Sequence, residues 1–111
     1  DGTQTLCFTW YNDLIDGFIA LGELDEGLDG SNLSGASFNI GSTEEVTIRR
    51  IAEIALEVSG SEGKIVSTKG HPGDSSRRLP DISAAEAALG WAPTIGIEEG
   101  MMRCWDWFQL E

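Results

Sequence analysis

Two adjacent arginines, Arg77 and Arg78, are the side chains of this 111-residue sequence best suited to chemistry. They lie directly before residues 79–83, which predict the start of a helix, and Lys69 and His71 lie in the same stretch. A guanidinium group matches two phosphate oxygens at once, so this concentration of positive charge predicts an anion site. Two other interpretations are open: a solvated loop for the whole stretch, and surface ion pairs for the two arginines.

Other reactive arrangements are missing from the sequence. A dinucleotide site needs a glycine-rich turn between a strand and a helix, whereas residues 60–63 follow a predicted helix. His71 is the single histidine and is typical of a surface residue, and Cys7, within a predicted strand, is typical of a structural thiol. The acidic residues are scattered, so no metal ligands cluster. The sequence therefore predicts no catalytic residue, no bound cofactor and no metal site in this chain.

The composition limits the possible partners and surroundings. A chain of this length with 41% apolar residues is expected to form one domain. The net charge of −12 argues against binding to nucleic acid, and it would repel an anionic ligand unless local positive charge overcame it. No apolar run approaches the roughly 18 residues needed to span a membrane. Two cysteines make no disulfide or zinc framework, so a reducing, cytoplasmic setting is expected.

The elements that must position the arginines follow from the hydrophobic periods and from helix start and stop signals. The predicted strands are residues 3–9, 36–40 and 64–68, and the predicted helices start at Asn12, at Thr47, at a Ser83/Glu86 capping box and near Ile97. Residues 22–35 are polar and glycine-rich, which predicts a flexible loop. The alternation predicts an α/β chain with short strands and about four helices, too few strands for a complete doubly wound sheet.

Apolar spacing indicates which helical faces should form the core. The helix that starts at Thr47 carries isoleucine, alanine and valine at i, i+3, i+4 and i+7, so it is expected to anchor the core. The first helix has an apolar face, and the last helix has an inner face with Trp107 outside it. The predicted apolar face of the first helix is Leu14, Ile15, Phe18 and Ile19. The predicted inner face of the last helix is Ile97, Met101, Cys104, Trp105 and Phe108. Trp91, Trp105 and Phe108 are interpreted as core residues, not as a ligand platform.

An ordered set of short motifs runs from residue 1 to about residue 108. The motifs are Gln4-Thr5, Phe8, Asn12-Asp13-Leu14, Phe38-Asn39-Ile40-Gly41, Arg78 with Pro80-Asp81-Ile82-Ser83, and Leu89-Gly90-Trp91-Ala92-Pro93. In this order they resemble the C-terminal part of the extended short-chain dehydrogenases/reductases, the superfamily of NAD-dependent nucleotide-sugar epimerases, dehydratases and decarboxylases, and the UDP-glucuronate decarboxylases in particular. The resemblance implies that residues 1–111 are a single substrate-binding lobe without the dinucleotide-binding half. Because the sequence starts at Asp1 without a methionine, it is expected to be a fragment of a longer protein.

The resemblance also implies roles for individual residues. Arg78 matches the family arginine that contacts the diphosphate of a nucleotide-sugar, with Arg77 beside it. His71 stands where other members have arginine, and Asp74 would meet the ribose. Gln4 and Phe8 match a Gln-Thr-Arg-x-Phe strand of the family, in which Leu6 here replaces the arginine and removes a second phosphate clamp.

The family's catalytic Tyr–Lys pair, four residues apart, is absent, because the single tyrosine, Tyr11, is followed by Ile15 at that spacing. NAD is therefore expected in a full-length parent and not in this chain. The sequence leaves two functions open for the chain, and only one of them belongs to an enzyme. One is the nucleotide-sugar-binding portion of an epimerase, dehydratase or decarboxylase, not catalytic by itself; the other is a non-catalytic interaction or oligomerisation module. The expected partners are a nucleotide-diphosphate sugar, and either the missing Rossmann half or a second copy.

Overall fold

The computed structural model describes residues 1–110, which form four helices and a two-stranded sheet. The strands are β1 (Thr5–Leu6) and β2 (Val46–Thr47), and the helices are α1 (Tyr11–Glu23), α2 (Ile48–Ser59), α3 (Ser83–Leu89) and α4 (Ile97–Gln109). This small α/β arrangement confirms the predicted fold class. No helix among these residues is both long and apolar enough to cross a membrane.

The sheet is smaller than the sequence predicts. β1 and β2 pair antiparallel, with Thr5 opposite Thr47 and Leu6 opposite Val46. The strand predicted for residues 3–9 shrinks to two residues, and those predicted for residues 36–40 and 64–68 are wrong. A strand requires a neighbour that pairs its backbone, and the described part of the chain offers these segments no such neighbour.

Local signals define α2 as predicted. The Thr47 side chain accepts a hydrogen bond from the Arg50 N–H at 3.0 Å, and Gly60 ends the helix with a φ of 65°. The helix packs on α4, and Arg50 reaches Glu98 of that helix at 3.0 Å. Its apolar face is only partly covered, however, because Ile54 is its single fully buried residue. The expectation that α2 anchors the core is therefore wrong.

The core is centred on α3. Its buried cluster is Ile82, Ala85, Ala88, Leu89 and Trp91, against which Ala20, Leu24, Leu33, Phe38 and Ile40 pack. Gly90, with a φ of 63°, ends the helix in the left-handed conformation that glycine favours. The predicted Ser83/Glu86 capping box is wrong, because Ser83 is already helical and its N–H donates to the Asp81 carboxylate at 3.0 Å.

The first helix turns a different face inward from the predicted one. Ile15, Phe18 and Ile19 are 45%, 65% and 50% exposed, whereas Asp13 and Gly17 are buried. Gly17 allows this contact, because a Cβ there would lie 3.0 Å from Ile40 Cδ1. The predicted cap is also wrong: Asn12 lies inside α1, and Trp10 precedes the helix without a side-chain cap.

The last helix begins where predicted and is fixed by a distant carboxylate. The Ile97 N–H donates to Glu44 Oε2 at 3.1 Å. Met101 and Trp105 of the predicted inner face are half-buried, but Cys104 and Phe108 are exposed, which corrects their assignment to the core. Since Trp91 is buried, its interpretation as a core residue is confirmed.

Candidate functional site

The two arginines are held against β1 by backbone hydrogen bonds. The Thr5 N–H donates to the Ser76 carbonyl at 3.0 Å, and the Arg78 N–H donates to the Thr5 carbonyl at 3.3 Å. Thr5 and Arg77 thus form an isolated parallel bridge on the side of β1 that β2 does not occupy. The bridge fixes the backbone from which both arginine side chains extend, although Arg77 and Arg78 are not part of a regular strand.

An open depression of about 670 Å³ lies beside this bridge. Arg77, Arg78 and Phe8 line it together, and the Phe8 ring is partly exposed there. The remaining lining residues are Leu6, Cys7, Thr9, Ile40, Gly41, Ser42, Leu79 and Pro80. We call this space the arginine depression.

Arg77 is already engaged by a carboxylate. Its Nε and Nη2 atoms donate to Glu45 Oε1 and Oε2 at 2.7 and 3.1 Å, and the Thr5 hydroxyl donates to Glu45 Oε1 at 2.6 Å. The Arg77 bond, and then the Thr5 bond, lower the pKa of Glu45, while Glu45 raises the pKa of Arg77. Arg77 therefore forms a surface ion pair, which is one of the alternatives that the sequence left open for the two arginines.

Arg78 differs from its neighbour. Its side chain is exposed at the arginine depression, and within residues 1–110 it makes no side-chain hydrogen bond or ion pair. Both of its backbone polar groups are hydrogen-bonded. The Arg78 N–H donates to the Thr5 carbonyl, and the Arg78 carbonyl accepts from the Cys7 thiol at 3.5 Å. Arg78 therefore presents an uncompensated positive charge from a fixed backbone, which suits an anionic ligand.

Gln4, His71 and Asp74 lie elsewhere, in a neighbouring depression of about 400 Å³. Asp74 Oδ2 accepts from the His71 N–H at 3.1 Å, and the Asp74 N–H donates to the His71 carbonyl at 3.2 Å. The two depressions lie next to each other, lined by successive parts of the segments 3–9 and 74–80. The six predicted residues are thus divided between them, three in each.

Cys7 lies in the wrong environment for a nucleophile. Burial, followed by the charge of Glu45, raises the pKa of its thiol. His71 cannot serve as its base at the arginine depression, because it lines the other one. Across residues 1–110, no three His, Cys, Asp or Glu side chains form a group that could hold a metal ion.

Comparison with known proteins gives this geometry its context. No family model matches the chain. It is 34% identical over 110 residues to UDP-glucuronic acid decarboxylase 1 of Xenopus tropicalis, covering 99% of this chain and 24% of that protein. Against GDP-L-fucose synthase 1 of Arabidopsis thaliana it is 37% identical over 101 residues, or 91% of this chain and 29% of that protein.

The family of the chain is decided by comparison with a solved structure. The UDP-glucuronic acid 4-epimerase of Bacillus cereus, in complex with UDP-glucuronic acid and NAD, overlays all of this chain and 34% of its own, with a TM-score of 0.87 and 32% identity. The chain belongs to the extended short-chain dehydrogenases/reductases. It corresponds to their C-terminal part, as the motifs indicated. It spans about a quarter of the length of the curated relatives it matches.

Two residues of this part of a short-chain dehydrogenase/reductase are not predicted from the sequence. Glu45 was not singled out, since its only signal is a Glu-Glu pair before β2. From the sequence, Asp13 is recognised only as part of the Asn12-Asp13-Leu14 motif, but it is buried and accepts from the Thr94 N–H, the Thr94 hydroxyl and the Ile95 N–H at 3.0, 2.7 and 3.1 Å. Its partners lie about eighty positions away, beyond the reach of any local pattern.

Proposed function

We propose that this chain is the nucleotide-sugar-binding part of an NAD-dependent epimerase, dehydratase or decarboxylase, and that it does not catalyse the reaction by itself. The observation that carries the proposal is the Arg78 guanidinium, exposed at the arginine depression and without an intrachain partner among the described residues. The two unpaired cysteines fit the reducing cytoplasm in which we place the protein.

The two neighbouring depressions suit an elongated ligand. Arg78 would hold the diphosphate, and Phe8 would offer its exposed ring beside it. Asp74 Oδ1 makes no hydrogen bond within residues 1–110, so it could accept from a ribose hydroxyl, with Gln4 and His71 alongside. NAD and a Tyr–Lys pair would come from the part of the enzyme that the relatives contain and this chain does not match.

The affinity for UDP is expected to depend on Arg78. A charge-assisted hydrogen bond contributes roughly 1.5 to 3 kcal/mol, so Arg78→Ala should weaken binding by about ten-fold or more. Binding should also fall as salt screens the exposed guanidinium. Isothermal titration calorimetry with UDP and UDP-glucuronate at low ionic strength measures both effects.

Arg103→Ala is the matched control for that experiment. It removes the same charge from α4, where Arg103 pairs with Glu99 and lines neither depression. Equal weakening by the two variants would mean that only bulk charge matters. No binding to the unaltered protein at low salt would remove the basis for a substrate-binding lobe.

A second function, as an interaction module, is favoured by a separate observation. Large apolar side chains are exposed along one face of α1 and at the end of α4, and Tyr11 of α1 lines a groove with Trp107 and Phe108. Single exposed apolar residues are ordinary, but a contiguous patch marks an interaction site. In the isolated chain, a second copy is the available partner.

Self-association is therefore expected for the isolated chain. Sedimentation equilibrium should give an apparent mass above that of a monomer, rising with protein concentration, and Trp107→Ser should lower it. Val66→Ser is the control, because Val66 is more exposed than these residues but lies outside the groove. A strict monomer at every concentration would contradict the expectation.

A further inference from the structure

Glu45 balances half of the positive charge at the arginine depression. Both of its carboxylate oxygens accept from Arg77, and one also accepts from the Thr5 hydroxyl. Of the two arginines that line the depression, Arg77 is therefore compensated by a carboxylate and Arg78 is not. This division is built into the fold, since Thr5 lies in β1 and Glu45 directly precedes β2.

A phosphate group and a carboxylate are alternative partners for the same edge of a guanidinium. Both offer two oxygens that fit the parallel N–H groups of the fork. The edge of Arg77 formed by Nε and Nη2 is the edge that Glu45 occupies. A phosphate that reached this edge would have to displace Glu45 and would meet its negative charge.

We propose that Glu45 competes with the phosphate groups of the ligand for Arg77, and that this competition limits the affinity of the arginine depression for diphosphates. The inference rests on the proposed function, since it concerns the same depression. It assigns Arg77 a latent binding role and makes Glu45 a specificity-determining residue. A ligand that can engage only Arg78 binds regardless of Glu45, whereas a ligand with two phosphates gains a second guanidinium only when Glu45 is removed or displaced.

Glu45→Gln tests this directly, because it preserves the size of the side chain and removes its charge. Calorimetry should show UDP binding about ten-fold more tightly to Glu45→Gln than to the unaltered protein, and the gain should disappear in the Glu45→Gln/Arg77→Ala double variant. UMP, with one phosphate, should gain less than UDP. Glu62→Gln is the charge control, since Glu62 is exposed and lines neither depression.

A second variant guards against a folding defect. Glu45→Asp keeps the charge but shortens the side chain by one methylene, so it weakens the two-point contact with Arg77 and should raise UDP affinity by a smaller factor. Circular dichroism of both variants should match that of the unaltered protein. Tighter binding in both folded variants, in the order Gln above Asp, would support the competition.

Other outcomes would overturn the inference separately from the function. If UDP binds in an Arg78-dependent way but Glu45→Gln does not tighten it, the competition is wrong and the substrate-binding function stands. A gain that persists without Arg77, or that Glu62→Gln reproduces, would mean that net charge alone is responsible. If neither the unaltered protein nor any variant binds UDP, the proposed function fails and the inference fails with it.

Discussion

Trp91→Ala is expected to lower the free energy of unfolding by about 3 to 5 kcal/mol, the usual cost of removing a large aromatic side chain from a core. Trp91 is 5% exposed and packs with Ile82, Ala85 and Leu89 in the buried cluster. Its indole N–H also donates to the Asp13 backbone carbonyl at 2.6 Å, so the substitution leaves a cavity and removes a buried hydrogen bond together. Such a loss is comparable to the whole stability of many small domains.

Urea unfolding followed by circular dichroism measures this change. Trp107→Ala is the matched control, because it makes the same chemical change at a side chain that is 59% exposed, and it should alter stability little. Trp91→Phe keeps much of the ring and loses the hydrogen bond, so it should fall between the two. Equal effects of Trp91→Ala and Trp107→Ala would contradict the position of the core.

Asp13→Ala is expected to cost about 2 to 4 kcal/mol, since three donors lose a charged acceptor at a buried position. Two of these donors belong to Thr94 and one to Ile95, in the segment that leads to α4. The control is Asp16→Ala, on the exposed side of the same helix. Comparable destabilisation by the two variants would show that helix charge matters here and the buried contacts do not.

The same carboxylate makes stability depend on pH. Burial raises the pKa of Asp13, but the hydrogen bonds from Thr94 and Ile95 and the charge of Arg103 outweigh it, so the pKa is lowered overall. A lowered pKa in the folded state means that the stabilising contribution is fully present above the unfolded-state pKa and is lost as pH falls through the folded value. The stability difference between the unaltered protein and Asp13→Asn should therefore shrink as the solution is acidified.

Local signals explain why three helices could be predicted well. The Thr47 cap and Gly60 define α2, Gly90 ends α3, and the first turn of α4 follows at Ile97. The strands depended on pairing between distant segments, and that information is not present in a five-residue window. The burial of helical faces was mispredicted for a related reason, because apolar periodicity identifies a face without saying whether anything covers it.

The candidate site shows the same division between local and distant information. Arg77 and Arg78 were recognised from their own types and from the motif that follows them. Glu45, which distinguishes the two arginines, is 32 positions from Arg77, so its role follows only from the bridge between Thr5 and Arg77. The separation of Gln4, His71 and Asp74 from Arg78 was equally invisible in the sequence.

The contacts of Asp13 also bear on how the chain is made. Its acceptor oxygens meet donors 81 and 82 positions later, and the Trp91 indole reaches back 78 positions. On the ribosome, α1 emerges long before Thr94 and Ile95 exist, so its carboxylate stays hydrated during most of synthesis. The packing of α1 therefore cannot be completed in the order in which these residues are synthesised. The helix can complete these contacts only after residues 94 and 95 have left the ribosome.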